Sequence, residues 1–227
     1  MGKVVSIVSS PRVGGNSDTI VNKIMSGAMG ISTNTFSLYY LSKMHARGCI
    51  GCMECKKTGK CSLNDEITKV MDDIKDADSL IVSTPVYFDQ KCWSYRMFED
   101  RLFSLIDNDG RSLIPPGKDL IIVVTYSHDY DAAVAVADHI ESIMVGTFGF
   151  NLLGMIIYCD HNKIDSAAND DEICELACSF GTSLSVAKPF NTYVVSIPKS
   201  DVRRGTKNIP HGFVWTSEKK TKGKSKE

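Results

Sequence analysis

Apolar positions along the chain follow two rhythms. Largely aliphatic or β-branched runs recur at Lys3 to Val8, Asp78 to Thr84, Asp119 to Thr125 and Phe150 to Tyr158, and Asn34 to Tyr39 reads as a short second strand. Such runs are expected of strands buried on both faces. Between them the apolar residues repeat at helical spacing. Ile20, Val21, Ile24, Met25, Ala28 and Met29 share one face of a first helix, and Ile67, Val70, Met71 and Ile74 share one face of a helix begun at Asp65. A long helix is predicted through Trp93, Met97, Phe98, Leu102 and Leu105, and two more over Ala132 to Val145 and Asp170 to Ala187. Strands that alternate with helices predict βαβ units, a parallel sheet and right-handed crossovers.

That alternation suits a three-layer, doubly wound α/β domain with a five-stranded parallel sheet in the order 2-1-3-4-5. In such a sheet a ligand sits outside the C-terminal strand ends, at the crevice between strands 1 and 3. The loop after strand 1 reads S-S-P-R-V-G-G-N-S from Ser9 to Ser17. It offers hydroxyls, Arg12 and the paired Gly14 and Gly15, with Ser17 as a helix cap and Asp18 in the first turn. Free N–H groups at a helix start form an anion site, most often for phosphate. Neither the G-x-G-x-x-G nor the G-x-x-x-x-G-K-[ST] fingerprint is present, which disfavours a dinucleotide fold or a P-loop nucleotidase. The loop after strand 3 reads T-P-V-Y-F from Thr84 to Phe88. Its proline is expected to fix the turn, and its aromatics could wall a flat ring. The loop after strand 4, Thr125 to Asp129, places Tyr126 to stack on or edge such a ring and His128 towards a substrate. It also reads as an ordinary exposed loop.

Eight cysteines change the picture. Without a secretion signal they are not expected to pair as disulfides. Cys92, Cys159, Cys174 and Cys178 are scattered and read as small buried apolar residues. The other four form C-x2-C-x2-C-x5-C, as Cys49, Cys52, Cys55 and Cys61. Three sulfurs at two-residue spacing open a ferredoxin-type run, and the fourth lies close enough to complete a four-thiolate cubane. Gly48, Gly51 and Gly59 give this loop room to wrap. Zinc is the rival, although structural zinc usually uses two separated knuckles. Free or redox-active thiols are the third reading.

The 227-residue chain suits one full α/β core, and its formal charge of −1 gives no electrostatic case for nucleic acid or an anionic membrane. No run is long enough to span a bilayer and no apolar leader precedes the first strand, so a cytoplasmic protein is expected. Residues 1–188 are expected to form the domain, with the cysteine-rich loop 42–65 inserted after strand 2. Residues 189–217 form an extension in which Thr192 to Ile197 reads as an extra strand or an arm. The lysine-rich tail 218–227 is expected to be disordered.

The loop S-S-P-R-V-G-G-N-S resembles the phosphate loop G-S-P-R-x-x-G-N-[ST] of flavodoxin-like NAD(P)H-dependent FMN reductases, with Ser9 where that family commonly has glycine. T-P-V-Y at Thr84 to Tyr87 resembles the [ST]-P-V-Y segment that lines the isoalloxazine ring there. Arg96 to Arg101 is similar to the K-x-x-x-D-R segment, with Arg96 for lysine and with Asp100 and Arg101 expected to be structural. The cysteine loop, continued by Gly59-Lys60-Cys61 and Asp65, resembles that of the iron–sulfur flavoproteins of anaerobes. The resemblance covers about residues 3–110. It implies that Ser10, Arg12, Asn16 and Ser17 hold FMN phosphate. It also implies that Pro85, Val86, Tyr87 and Phe88 line the ring with Tyr126 at its edge, and that Cys49, Cys52, Cys55 and Cys61 carry a [4Fe–4S] cluster. The implied protein is an FMN-dependent oxidoreductase passing electrons between NAD(P)H or a reduced carrier and an acceptor, with flavin-borne chemistry and no catalytic side chain. A homodimer or homotetramer and a ferredoxin-like electron carrier are the implied partners. A cluster-free NAD(P)H-dependent FMN, quinone or azo reductase is the first alternative, and a non-enzymatic redox or metal sensor the second.

Overall fold

A computed structural model describes residues 2–30, 34–159, 165–184, 193–198 and 213–216, the last two spans as strand backbone. Strand β1 (Lys3–Val8) leads to helix α1 (Asn16–Met29) and strand β2 (Thr35–Tyr40). The cysteine loop follows and contains the short helix α2 (Glu54–Thr58). Then come α3 (Glu66–Asp76), β3 (Ser79–Tyr87), the two-residue β4 (Gln90–Lys91) and α4 (Trp93–Arg101). The rest is β5 (Asp119–Tyr126), α5 (Tyr130–Met144), β6 (Asn151–Cys159), α6 (Asp171–Ser183), β7 (Tyr193–Pro198) and β8 (Phe213–Thr216).

The sheet runs β2-β1-β3-β5-β6-β7-β8. Its first five strands, all parallel, reproduce the order expected from the alternation of strands and helices. The segment read as an extra strand or arm is β7, parallel to β6, and β8 closes the edge antiparallel to β7. The lysine-rich tail lies outside the described residues.

Each face of the sheet is covered by helices, as buried parallel strands require. On one face Val4, Ile81, Ile121 and Ile156 meet α1 and α6. On the other Val5, Leu80, Ile122 and Met155 meet α3, α4 and α5. Helices α1 and α6 cross with their backbones nearly touching. A Cβ added at Gly181 would stand 1.8 Å from the Ile24 carbonyl oxygen, and one at Gly27 would stand 2.0 Å from that of Cys178. Only glycine allows that approach.

Three local expectations are corrected. Gly15, not Ser17, is the N-cap of α1, and no side chain caps the helix. Pro85 does not turn the chain: β3 continues through it, with Pro85 opposite Thr125, to Tyr87. A proline is tolerated there because β1 pairs with β3 only as far as Ser83, which leaves that side of β3 without a ladder partner at Pro85. The long helix through Leu105 is α-helical only to Arg101 and tightens into a 3₁₀ turn over Leu102–Leu105.

Candidate functional site

The loops after β1, β3 and β5 meet at the C-terminal edge of the sheet. The first, from Ser9 to Gly15, is braced from below and behind. Ser9 is fully buried and its hydroxyl donates to the Ser83 carbonyl. Ser10 Oγ accepts the Arg12 N–H at 3.2 Å, and Ser42 Oγ donates to the Ser10 carbonyl at 3.0 Å. Gly14 has φ +73°, and its N–H donates to Asp18 Oδ2 at 2.7 Å. The buried Asp18 also accepts from Tyr40 Oη at 2.9 Å and Asn22 Nδ2 at 2.7 Å. The carboxylate in the first turn therefore shapes the loop from inside rather than opposing a ligand. Arg12 stays exposed, and the α1 N-terminus stays without a side-chain cap. Helix dipole, N–H groups and guanidinium together favour an anion.

Asn16 and Ser17 already have protein partners. Asn16 Oδ1 accepts the Ala167 N–H at 3.0 Å, joining α1 to the turn before α6. Ser17 is 2% exposed and its hydroxyl lies 2.7 Å from Thr125 Oγ1, which links the helix start to β5.

Beyond β3 the chain reverses through Phe88 and Asp89, with φ of +49° and +57°. Two consecutive positive φ values make the tight hairpin turn that matches strand twist, usually given to asparagine and glycine. Holding non-glycine residues there stores about 1–3 kcal/mol each, a feature that clusters at ligand-binding loops. The turn is over-determined by its neighbours. Tyr126 Oη donates to Asp89 Oδ1 at 2.7 Å, and that hydrogen bond, with burial, pushes Tyr126 up to about 12. Lys91, almost fully buried, pairs with Glu99 Oε1 at 2.5 Å and reaches His139 Nδ1 at 3.4 Å. The outcome is an aromatic tip: Phe88 is 98% exposed and Tyr87 is partly so, while Val86 points into the core. His128 is exposed, its Nδ1 2.7 Å from Ser127 Oγ.

Beneath these loops lies a buried polar knot that the sequence did not announce. Cys92, the N-cap of α4, places Sγ 3.4 Å from the Ser9 carbonyl and 3.3 Å from Ser94 Oγ, and its N–H donates to Thr84 Oγ1. Ser94 Oγ donates to the Ser9 carbonyl at 2.6 Å. The knot fixes the start of α4 under the first loop.

At the far end of α4 is a second centre. Cys49, Cys52, Cys55 and Cys61 line one open concavity, together with Arg101 and Phe103. All four are free thiols, the first two exposed and the others half-buried. Among the described residues they are not gathered around a single metal-ion position. Cys52 Sγ lies 3.1 Å from Ser62 Oγ, and this hydrogen bond, with the Glu54 N–H, lowers its pKa. The loop is held down by Lys56, whose Nζ sits 3.7 Å above the Phe103 ring and donates to the Phe103 carbonyl at 2.6 Å.

Arg101 is 1% exposed and organises the base of the loop. It donates to both Asp65 carboxylate oxygens at 2.8 and 3.0 Å, to the Arg47 carbonyl at 2.9 Å and to the Leu63 carbonyl at 3.2 Å. Burial alone would raise Asp65, but the Arg101 and Arg47 donors hold it below the usual carboxylate range. Both residues stand in the motifs read from sequence, Asp65 after Cys61 and Arg101 ending the α4 segment. Their pairing across 36 positions was not visible there.

A doubly wound parallel sheet with its loops gathered at the β1/β3 switch point defines a flavodoxin-like domain. Residues 2–103, a little under half of the chain, match the model of the NADPH-dependent FMN reductase family, which supports the resemblance read from the motifs. Curated relatives include an iron–sulfur flavoprotein of Methanocaldococcus jannaschii, 35% identical over 101 residues that cover 44% of this chain and 51% of the relative. Another, from Clostridioides difficile, is 25% identical over 107 residues covering 46% and 48%. The chain spans about half the length of the curated relatives it matches. Among solved structures, an NADH:FMN oxidoreductase in its apo form superposes with a TM-score of 0.59 at 16% identity, covering 83% of this chain and 92% of that one. An NAD(P)H:quinone oxidoreductase from Methanothermobacter marburgensis gives 0.60 at 15% identity, covering 81% and 97%. These structures share the fold. Among the described residues no helix is long and apolar enough to cross a membrane.

Proposed function

We propose that this chain is an FMN-dependent oxidoreductase that carries a [4Fe–4S] cluster and passes electrons between NAD(P)H, or a reduced carrier, and an acceptor. One observation carries the reading. The anion loop with its aromatic tip and the four-cysteine concavity are the two ends of one helix, α4, whose N-cap lies under Ser9 and whose last residue lines the concavity. The residues present fit both groups. An uncapped helix start beside an exposed arginine suits a phosphate, exposed Tyr87 and Phe88 suit a flat ring, and four thiols around one concavity suit a four-thiolate cluster. The names of the curated relatives support the cluster over the cluster-free reductase.

When bound, FMN would exchange electron pairs with a hydride donor and the cluster would accept electrons singly. The chain supplies binding and position. Ser10 and Arg12 would hold the phosphate together with Asn16 and Ser17, these last through their N–H groups at the start of α1 because their side chains are engaged elsewhere, with Asp18 fixing the loop's curvature. Pro85 and Tyr87 to Phe88 would line the ring, with Val86 supporting it from the core. Tyr126 would keep the turn in place through Asp89 and edge the ring. Cys49, Cys52, Cys55 and Cys61 would ligate the cluster. A homodimer or homotetramer, a ferredoxin-like carrier and a cytoplasmic setting complete the proposal.

The test is an absorption spectrum with iron and sulfide assays on protein purified without oxygen. A flavin spectrum under broad cluster absorption, with about four irons per chain, is the expected result. A flavin spectrum without iron would leave the simple FMN, quinone or azo reductase. Protein that refuses added FMN would overturn both and leave a thiol-based sensor.

A further inference from the structure

Among the described residues Arg101 makes five hydrogen bonds through its two terminal nitrogens, and they fall on Asp65, Arg47, Leu63 and Thr68. Its Nε–H is different. That atom is buried and makes no well-formed hydrogen bond among the described residues, while the guanidinium interacts with the Cys61 thiol and the residue lines the cysteine concavity. An unmet donor on a buried cation is destabilising unless something accepts it.

We infer that Arg101 is the hydrogen-bond donor and counter-charge of the cysteine centre, its Nε–H meeting a ligating sulfur and its charge setting the reduction potential. This deepens the cluster reading and rests on it. A cubane held by four thiolates is anionic, and each added electron makes it more so. A fixed cation beside it, together with an N–H to sulfur, favours the reduced form and raises the potential. Asp65 is the opposing element. It shares the guanidinium at 2.8 Å and so offsets part of the positive charge. The two residues form a charge pair tuned against the cluster, and substitutions at the two positions move the potential in opposite directions.

The experiment uses the full chain with its flavin, loaded with iron and sulfide under argon. Midpoint potentials of the cluster are read by redox titration for wild type, Arg101→Gln, Arg101→Lys and Asp65→Asn, with iron content and FMN content measured alongside. Arg101→Gln should disfavour reduction about tenfold, which for one electron is a fall of about 59 mV. Arg101→Lys should recover part of that loss, and Asp65→Asn should shift the potential upward. FMN content should stay constant, because the flavin loops lie at the other end of α4. If Arg101→Gln does not fold, the lysine and Asp65→Asn variants carry the comparison. Iron-loaded variants whose potentials match wild type would overturn the assignment of Arg101 and leave the cluster reading intact. A wild-type chain that takes up no iron would overturn both.

Discussion

The near contact of α1 and α6 makes Gly181→Ala an informative substitution. The new methyl would stand 1.8 Å from the Ile24 carbonyl oxygen and 2.7 Å from the Ala28 nitrogen, both backbone atoms that no rotamer change can move. To restore an ordinary contact of about 3.4 Å the helices must part by roughly 1.5 Å along that line. Alanine in place of a helical glycine gains up to about 1 kcal/mol in propensity. Overpacking of a fixed core costs about 1–3 kcal/mol, and a backbone clash belongs at or above the upper end. The net expectation is about 2 kcal/mol of destabilisation, which lowers Tm by about 4–8 °C for a domain of this size. Because α1 carries the anion loop at its start, FMN affinity should weaken as well. Urea unfolding followed by circular dichroism measures the first effect and an FMN titration the second. Ser179→Ala, on the exposed side of α6, is the control and should change little. If Gly181→Ala proves as stable as wild type, or more stable by the propensity term, the two helices do not cross at this distance.

Other substitutions test the site directly. Asp18→Ala removes the acceptor of Gly14 N–H and Tyr40 Oη, and should cost about 2–3 kcal/mol in urea unfolding together with weaker FMN binding. Arg12→Ala should leave the fold intact, because the side chain is exposed, and weaken FMN about tenfold or more in a fluorescence titration; an unchanged Kd would remove Arg12 from the phosphate site. Asp119 is raised to about 6 by burial and by the neighbouring Asp78 charge, so the folded chain binds its proton more tightly than the unfolded one. The stability this group adds is therefore absent above pH 7 and gained as pH falls through 6 towards 4. Asp119→Asn should stabilise the protein at pH 7 by about 1 kcal/mol after allowance for solvent screening, and flatten unfolding free energy over that window.

The strands and helices of the first half were legible because their signals are local. Buried parallel strands such as Val4 to Val8 and Ile121 to Val124 are continuous apolar runs, and α3 declares itself through Ile67, Val70, Met71 and Ile74. The loops carrying chemistry were legible through residue type, since glycine, hydroxyl, thiol and aromatic groups at fixed spacing suit few roles. What stayed hidden was pairing over distance. Ser17 reads as a cap from its neighbours, yet Thr125, 108 positions away, claims its hydroxyl. Pro85 reads as a turn former, yet the ladder with β5 carries the strand past it. Cys92 reads as a buried apolar residue, yet it knots Ser9, Thr84 and Ser94 together. Arg101 reads as structural, and its open Nε–H appears only once Asp65, Leu63 and Arg47 have taken the other donors.

Helix α4 also acts as a spacer with a fixed step. Its nine residues span about 13 Å, at about 1.5 Å per residue. One end is clamped by Cys92 under the anion loop and the other by Arg101 in the cysteine loop, so neither end can slide. Adding a single residue to α4 would lengthen it by little, but would rotate Arg101 by about 100° away from Asp65 and the thiols. Only insertions near a whole turn would return the guanidinium to its place, about 5.4 Å further on. The separation of the two sites can therefore change only in coarse jumps, and a chain that keeps both of them working has little freedom to drift in the length of this one helix.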